Sequence, residues 1–218
     1  MKVEEYFLKQ NFEKLIEEFF RYTLINEYEI YNEFSFQHEL GFFLRNKFID
    51  NTIDYKEYKI EFERNTKYFD INYKLIKKEI DISIYNNYNR FAIELKYPLN
   101  GRYPEEMFDF IKDIKFIQQL KDTNKFNKTY SIVLVNKRGK GRPFYMGNHL
   151  GNKDIDIYKY FRGDKEILRG KILKPTGYNK YIIDLKDKEY KFLWKDTEIY
   201  SNNGRKYKEC KYYIINSI

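Results

Sequence analysis

Large apolar residues recur at helical spacing through the N-terminal part of the chain. From Val3 to Tyr22 they return every three or four residues, which predicts an amphipathic helix packed against the rest of the domain. A second helix is predicted from Ser35, a favourable N-cap residue, to about Phe48. Its apolar stripe comprises Phe36, Leu40, Phe43 and Leu44. Glu39 lies within that stripe, which is an unusual position for a carboxylate.

Three later segments alternate apolar and polar residues with the period of two that is typical of β-strands. Their apolar positions are Tyr58, Ile60 and Phe62, then Ile80, Ile82 and Ile84, then Phe91, Ile93 and Leu95. The run from Asn86 to Asn89 separates the last two segments and consists of turn-forming residues. The second and third strands are therefore predicted to form a β-hairpin.

A helix and a buried strand are predicted to follow this hairpin. Pro98 ends the third strand, and Pro104 suits the first turn of a helix that runs to about Leu120. The short apolar run from Ile132 to Val135 is typical of a buried strand. The order strand, helix, strand indicates a βαβ crossover, so part of the sheet should be parallel.

The remainder of the chain favours loops and short strands. Residues 137–152 are rich in glycine, and beyond Gly163 the predicted strands include residues 181–183, 192–194 and 212–215. The whole pattern predicts an α/β fold with a central mixed β-sheet flanked by helices. Residues 1–163 would form the core with its N-terminal helix. Residues 164–218 would form a β-rich C-terminal extension packed on that core.

Composition excludes some classes of protein and leaves others open. A single cysteine, Cys210, cannot form an internal disulfide, and two histidines are too few for a zinc site built from histidine and cysteine. No apolar run approaches the roughly 20 residues that span a bilayer, so a cytoplasmic protein without membrane contact is expected. The net charge of +8 fits an anionic partner such as nucleic acid. The richness in Lys, Ile, Asn and Tyr also fits a compositional bias unrelated to binding, so the charge alone does not decide.

The predicted hairpin carries the clearest chemical signal. If the turn is symmetric, Asp81 lies directly across from Glu94, with Cβ atoms about 4.5–5.5 Å apart. Lys96 lies one step further along the same face, because side chains alternate along a strand. Facing carboxylates need a neutralising cation, and carboxylate oxygens are ligands that Mg²⁺ prefers. The Leu95 carbonyl can add a third oxygen, and Lys96 can position or deprotonate a water beside a phosphate.

An ordinary structural explanation competes with this one. Charged residues are common on the outer face of a strand, and Asp81 can simply pair with Lys96 across the hairpin diagonal. Three features favour a functional site. The acidic pair and the lysine share one face, Glu39 interrupts an apolar stripe upstream, and a βαβ crossover follows directly.

The order of these elements resembles the core of the PD-(D/E)XK nuclease superfamily, which includes restriction endonucleases, junction resolvases and recombination nucleases. The resemblance covers about residues 33–136. It rests on a helix bearing Glu39, a strand, Ile80-Asp81, then Glu94-Leu95-Lys96, a helix and a buried strand. Ile80 stands in place of the proline that gives the motif its name.

The resemblance implies a restriction-endonuclease-like fold and hydrolysis of phosphodiester bonds, in DNA more than in RNA. It implies that Asp81 and Glu94 bind Mg²⁺, for which Mn²⁺ can substitute, and that Lys96 is the catalytic lysine. Glu39 would be the first-helix glutamate that contacts metal-bound water or a second metal. A restriction-like role in defence and a homodimer are further expectations. The competing hypothesis is a non-catalytic nucleic-acid-binding or interaction module that keeps the nuclease fold.

Two weaker candidates lie outside this motif. Lys137, Arg138, Lys140 and Arg142 form a basic, glycine-containing loop. This loop either clamps nucleic-acid phosphates or is a solvated surface loop. Gln118 and Gln119 are predicted to face solvent on the helix after the motif.

Overall fold

The structure, a computed structural model, describes residues 3–8, 11–49, 58–99, 103–137, 156–162, 166–176, 181–202 and 207–217. Its described helices are α1 (Val3–Leu8), α2 (Phe12–Ile25), α3 (Glu33–Ile49) and α4 (Tyr103–Asp122), with short 3₁₀ helices at Thr66–Phe69 and Ile157–Phe161. The strands are β1 (Lys59–Asn65), β2 (Glu79–Tyr85), β3 (Arg90–Lys96), β4 (Lys128–Asn136), β5 (Lys171–Leu173), β6 (Ile182–Asp184), β7 (Lys195–Tyr200) and β8 (Tyr207–Asn216). None of the helices within these ranges is both long and apolar enough to cross a membrane.

Six of the strands form one mixed sheet in the order β1-β2-β3-β4-β8-β7, while β5 and β6 form a separate pair. β3 and β4 run parallel because α4 carries the chain back between them. The other neighbouring strands of the large sheet run antiparallel. The predicted α/β class, with a central mixed sheet, flanking helices and a βαβ crossover, is confirmed.

Helices cover both faces of this sheet. One face carries Ile82, Phe91 and Leu95, which pack in a single cluster with the apolar sides of α1, α2 and α3. The other face carries Val133 and Tyr213, which pack with α4 and the second 3₁₀ helix. Because side chains alternate along a strand, the polar positions of the β2–β3 hairpin lie on the face that α4 covers.

α3 begins earlier than Ser35, the predicted N-cap. The Oδ1 atom of Asn32 accepts a hydrogen bond from the Ser35 amide (2.7 Å), and Ser35 Oγ accepts one from the Asn32 amide (3.0 Å). Such a reciprocal pair satisfies two amides that the helix itself cannot. Ser35 is therefore in the first turn of α3, and Glu33 belongs to the helix.

Two other predicted elements differ from those observed. The N-terminal helix is two helices, α1 and α2, and α2 starts after Asn11, whose carbonyl accepts from the Leu15 amide (3.1 Å). Residues 192–194 are not a strand although Phe192 is fully buried, because they pair with no neighbouring strand. The strand starts just after them, as β7.

The C-terminal strands complete the central sheet. β8 pairs with β4 from Cys210 to Asn216, and β7 pairs with β8 at the sheet edge. The predicted strand at residues 212–215 is confirmed as part of β8. The two-stranded β5–β6 sheet packs against the α4 side through Ile172 and Ile183.

Candidate functional site

The β2–β3 hairpin brings Asp81 and Glu94 together. Ile82 pairs with Ile93 across the hairpin, which is the register that a symmetric turn predicts. The Asp81 amide donates to Glu94 Oε1 (3.2 Å), and the Leu95 amide donates to Asp81 Oδ2 (2.7 Å). The two carboxyl groups therefore lie side by side.

Burial makes the charged form of both carboxyl groups unfavourable. Glu94 is fully buried, and Asp81 is only 9% exposed. Burial raises the pKa of Asp81 to about 6, although neighbouring lysines lower it. Burial and the charge of Asp81 together raise the pKa of Glu94 well above its usual range. Two carboxyl groups in this environment must either hold a proton or be neutralised by a cation.

Lys77, which the sequence pattern did not single out, supplies one such cation. Its ammonium contacts Glu94 Oε2, lies 3.0 Å from Asp113 Oδ1 and lies 3.8 Å from Asp81 Oδ1. Burial lowers the pKa of Lys77, but the charges of Glu94, Asp113 and Asp81 raise it by more. Lys77 therefore remains an ammonium ion among three carboxylates.

Asp113 is the third carboxylate, and it comes from α4. It is 2% exposed, and its Oδ2 atom is buried and accepts no hydrogen bond from the described part of the chain. The same atom faces Lys96 Nζ at 3.6 Å. A signal for Asp113 is present in the sequence, since it follows the buried Phe110 by three residues and precedes the buried Ile117 by four.

Lys96 is held at the cluster by a carboxylate from α3. Its Nζ atom lies 2.6 Å from Glu33 Oε1 and donates to the Leu95 carbonyl (3.1 Å). Glu33 Oε2 also accepts from the Tyr97 amide (3.4 Å). Burial lowers the pKa of Lys96, but Asp113, Glu33 and Asp81 raise it by more. Lys96 therefore fits a positioning cation better than a proton acceptor.

Glu39 does not lie with these residues. It is half-buried, and its Oε1 atom lies 3.5 Å from His38 Nδ1. Its charge helps to raise the pKa of Tyr22, after burial and the hydrogen bond between Tyr22 and Tyr28. Besides Glu33, the α3 side chain that bonds to the hairpin is that of Gln37, whose Nε2 donates to the Asp81 carbonyl (2.6 Å). Successive helical residues are about 100° apart, so Glu39 is turned about 200° from Gln37. The expectation that Glu39 faces Asp81 and Glu94 is thus not met.

The two glutamines of α4 are not a solvent-facing pair. Gln118 is buried, and its amide donates to the Leu185 carbonyl (3.3 Å). Gln119 Oε1 accepts from the Ile76 amide (2.9 Å). That second bond anchors the backbone directly before Lys77, so Gln119 supports the cluster indirectly.

Most of the basic loop lies beyond what the structure describes. Arg138, Lys140 and Arg142 fall outside the described residues. Lys137 is described, and its ammonium lies 3.3 Å from Asp196 Oδ1 and 4.0 Å from Glu209 Oε2. These contacts engage Lys137 with carboxylates of β7 and β8.

The cluster has the chemistry of a metal site, but a lysine sits at its centre. Asp81, Glu94 and Asp113 offer oxygen ligands, and Asp113 Oδ2, which accepts no hydrogen bond from the described residues, suits a hard cation. In the observed arrangement, no group of three or more His, Cys, Asp or Glu side chains among the described residues could hold a metal ion. The Lys77 ammonium lies among the three carboxylates instead.

Comparison with known protein families, with curated proteins and with solved structures found no match. An assignment of function to this chain therefore rests on the geometry and chemistry of the cluster.

Proposed function

We propose that this protein is a Mg²⁺-dependent nuclease of the PD-(D/E)XK type that hydrolyses phosphodiester bonds in DNA, with Mn²⁺ able to replace Mg²⁺. The observation that carries the proposal is the adjacency of Asp81 and Glu94 on a buried hairpin, with Lys96 on the same face. Two strand carboxylates and a lysine in this arrangement are a minimal site for metal-assisted phosphodiester hydrolysis.

The order of elements supports a restriction-endonuclease-like core. α3, β1, β2, β3, α4 and β4 follow one another as in the superfamily that the sequence resembles, and β3 and β4 form a parallel pair around α4. The carboxylate from the first core helix that reaches the site is Glu33, and its role is to hold Lys96, which differs from the contact with metal-bound water or a second metal that the resemblance implied for Glu39.

The chain's own residues divide the work as follows. Asp81, Glu94 and the Leu95 carbonyl are the oxygen ligands for the cation. When bound, the cation stabilises negative charge on the phosphate and lowers the pKa of a bound water. Lys96, held by Glu33, orients a phosphate oxygen through its ammonium group.

DNA is the proposed substrate, and a homodimer is the proposed active form. The net charge of +8 favours a polyanionic substrate, and cutting both strands of a duplex favours two symmetry-related sites. A restriction-like role in defence follows from this chemistry by analogy with other proteins of the superfamily.

A non-catalytic nucleic-acid-binding module is the second candidate. The position of Lys77 favours it, because an ammonium that neutralises the carboxylates removes the need for a metal. Such a module binds DNA without cleaving it and without sensitivity to Mg²⁺.

A cleavage assay separates the two candidates. Purified protein is incubated with supercoiled plasmid, linear duplex, single-stranded DNA and RNA, each with Mg²⁺, with Mn²⁺ and with a chelator. We expect metal-dependent cleavage of DNA by the unmutated protein. Asp81→Asn should lower the rate by about three orders of magnitude or more, or about 4 kcal/mol of transition-state stabilisation. Its DNA binding should persist.

The matched control is Asp70→Asn, which makes the same change of charge at an exposed position. Asp70 has φ 58°, a left-handed conformation that asparagine tolerates well. We expect its cleavage rate to equal that of the unmutated protein. Absence of cleavage by folded, unmutated protein on every substrate with both metals would sink the nuclease proposal and leave the binding module.

A further inference from the structure

The position of Lys77 is unusual for a lysine near a catalytic carboxylate pair. Its ammonium is within 4 Å of three carboxylate oxygens, from Asp81, Glu94 and Asp113. Two ammonium groups, those of Lys77 and Lys96, face three acidic groups, of which Glu94 is fully buried and Asp113 is 2% exposed. A divalent cation matches this set of oxygens better than a single ammonium does.

Asp113 Oδ2 provides an independent indication that a cation fits this cluster. It is fully buried, accepts no hydrogen bond from the described residues, and lies 3.6 Å from Lys96 Nζ. A buried carboxylate oxygen without a donor is costly in free energy. The side chain reaches into the cluster from α4, so a cation between the strands and α4 would satisfy it.

The Lys77 side chain lies in an irregular segment and is partly open to solvent. Lys77 lies between the first 3₁₀ helix and β2, outside both elements, and its side chain is 21% exposed. Gln119 holds the neighbouring Ile76 amide, so the backbone stays anchored while the flexible four-carbon side chain turns outward.

We propose that Lys77 is a built-in counter-ion that occupies the cation position in the metal-free protein and is displaced when a divalent cation binds to Asp81, Glu94 and Asp113. Asp113 thereby becomes a third carboxylate of the metal site. This inference rests on the proposed metal-dependent function. Metal binding and the departure of Lys77 are then coupled, and removal of the ammonium must tighten metal binding.

The test compares Lys77→Met with Lys78→Met by calorimetric titration of Mn²⁺ and Mg²⁺. Lys78 is the matched control, since it is the next residue, carries the same charge and is exposed. We expect Lys77→Met to bind Mn²⁺ at least about tenfold more tightly than the unmutated protein, whereas Lys78→Met is unchanged. Lys77→Arg keeps the positive charge and should bind no more tightly than the unmutated protein.

Thermal unfolding provides a readout that is independent of binding heats. Without metal, Lys77→Met should melt at a lower temperature than Lys78→Met, because three carboxylates lose their counter-ion. Saturating Mg²⁺ should raise its melting temperature by more than it raises that of either other protein. If Lys77→Met folds only when Mn²⁺ is present, that dependence on metal agrees with the proposal. The Lys77→Gln variant then takes the place of Lys77→Met in the titration.

Several results would overturn the proposal. One is an equal affinity for Mn²⁺ in Lys77→Met and Lys78→Met. Another is weaker Mn²⁺ binding in Lys77→Met than in the unmutated protein. The third is a gain of Mn²⁺ affinity in Lys77→Arg as large as that in Lys77→Met. If the unmutated protein still cleaves DNA with Mg²⁺ in those cases, the role of Lys77 fails while the nuclease proposal stands. If no variant binds metal and the unmutated protein does not cleave, the proposed function fails and this inference fails with it.

Discussion

The contact between Gly41 of α3 and Phe62 of β1 allows a quantitative test of how α3 is positioned. A Cβ atom added at Gly41 would lie 2.1 Å from Phe62 Cζ and 2.2 Å from Cε1. The ring cannot move freely, because it packs against the core and the Arg45 guanidinium lies 5.1 Å from its centroid. Arg45 is fixed in turn by a hydrogen bond to the Ile60 carbonyl (2.8 Å).

Gly41→Ala should therefore destabilise the protein despite its better helix propensity. Overpacking costs about 1–3 kcal/mol, and replacing glycine by alanine inside a helix returns up to about 1 kcal/mol. We expect a net loss of up to about 2 kcal/mol in the free energy of unfolding. In a Phe62→Leu background the obstructing ring atoms are gone, so the same substitution should stabilise the protein by up to about 1 kcal/mol.

Urea unfolding of the four proteins in this double-mutant cycle measures the coupling directly. The decisive result is the change of sign between the two backgrounds. If Gly41→Ala has the same effect with Phe62 and with Leu at that position, the close approach of α3 to β1 is not as described. The contact bears on function because α3 carries Glu33 and Gln37 to the candidate site.

Two further predictions concern the charged cluster. Burial raises the pKa of Asp81 to about 6 in the folded protein, so the protonated carboxyl group stabilises the fold at low pH. This stabilisation amounts to about 3 kcal/mol, and it is lost as the pH rises from about 4 to about 6. Glu94, whose pKa is also raised, contributes a decline of its own, so urea unfolding of metal-free protein across that range should show a steeper decline than Asp81→Asn does, and parallel pH profiles would contradict the assignment. Glu33→Gln should lower the cleavage rate by about tenfold or more, because it removes the carboxylate that holds Lys96. Glu39→Gln, the matched change on the same helix, should leave the rate unchanged. A larger loss of rate in Glu39→Gln than in Glu33→Gln would restore the role first expected for Glu39.

Regular patterns made the sheet and the hairpin predictable. Alternation in β2 and β3, with a short polar turn between them, sets both the register and the face of each side chain, so the meeting of Asp81 and Glu94 follows from the sequence. The helical period of α4 likewise predicts the crossover. β7 was not predicted, since charged residues dominate this edge strand and no apolar alternation marks it.

The rest of the candidate site depends on contacts between distant segments. Lys77 lies in an irregular segment, where no periodicity indicates the direction of a side chain. With Ser35 as the predicted N-cap, Glu33 falls outside α3, so the sequence pattern does not indicate its role. The sequence pattern favours Glu39 because this residue interrupts the apolar stripe of α3. Such a stripe does not indicate which residues of other elements its side chains contact. Asp113 likewise lies among the apolar positions of α4, but this pattern alone does not show that it joins the site.

The placement of β8 between β4 and β7 has a consequence for biosynthesis. Of its two neighbours in the sheet, β4 can pair only with β3 until synthesis reaches Tyr207, where β8 begins, about 70 residues after β4 is complete. At roughly 5–20 residues per second, that interval lasts about 4–14 seconds. Throughout it, the run from Tyr130 to Val135 presents an open strand edge that carries no charged residue. In this state the nascent chain is most prone to aggregate by pairing with the strands of other chains. The edge of β4 is protected only when β8 pairs with it.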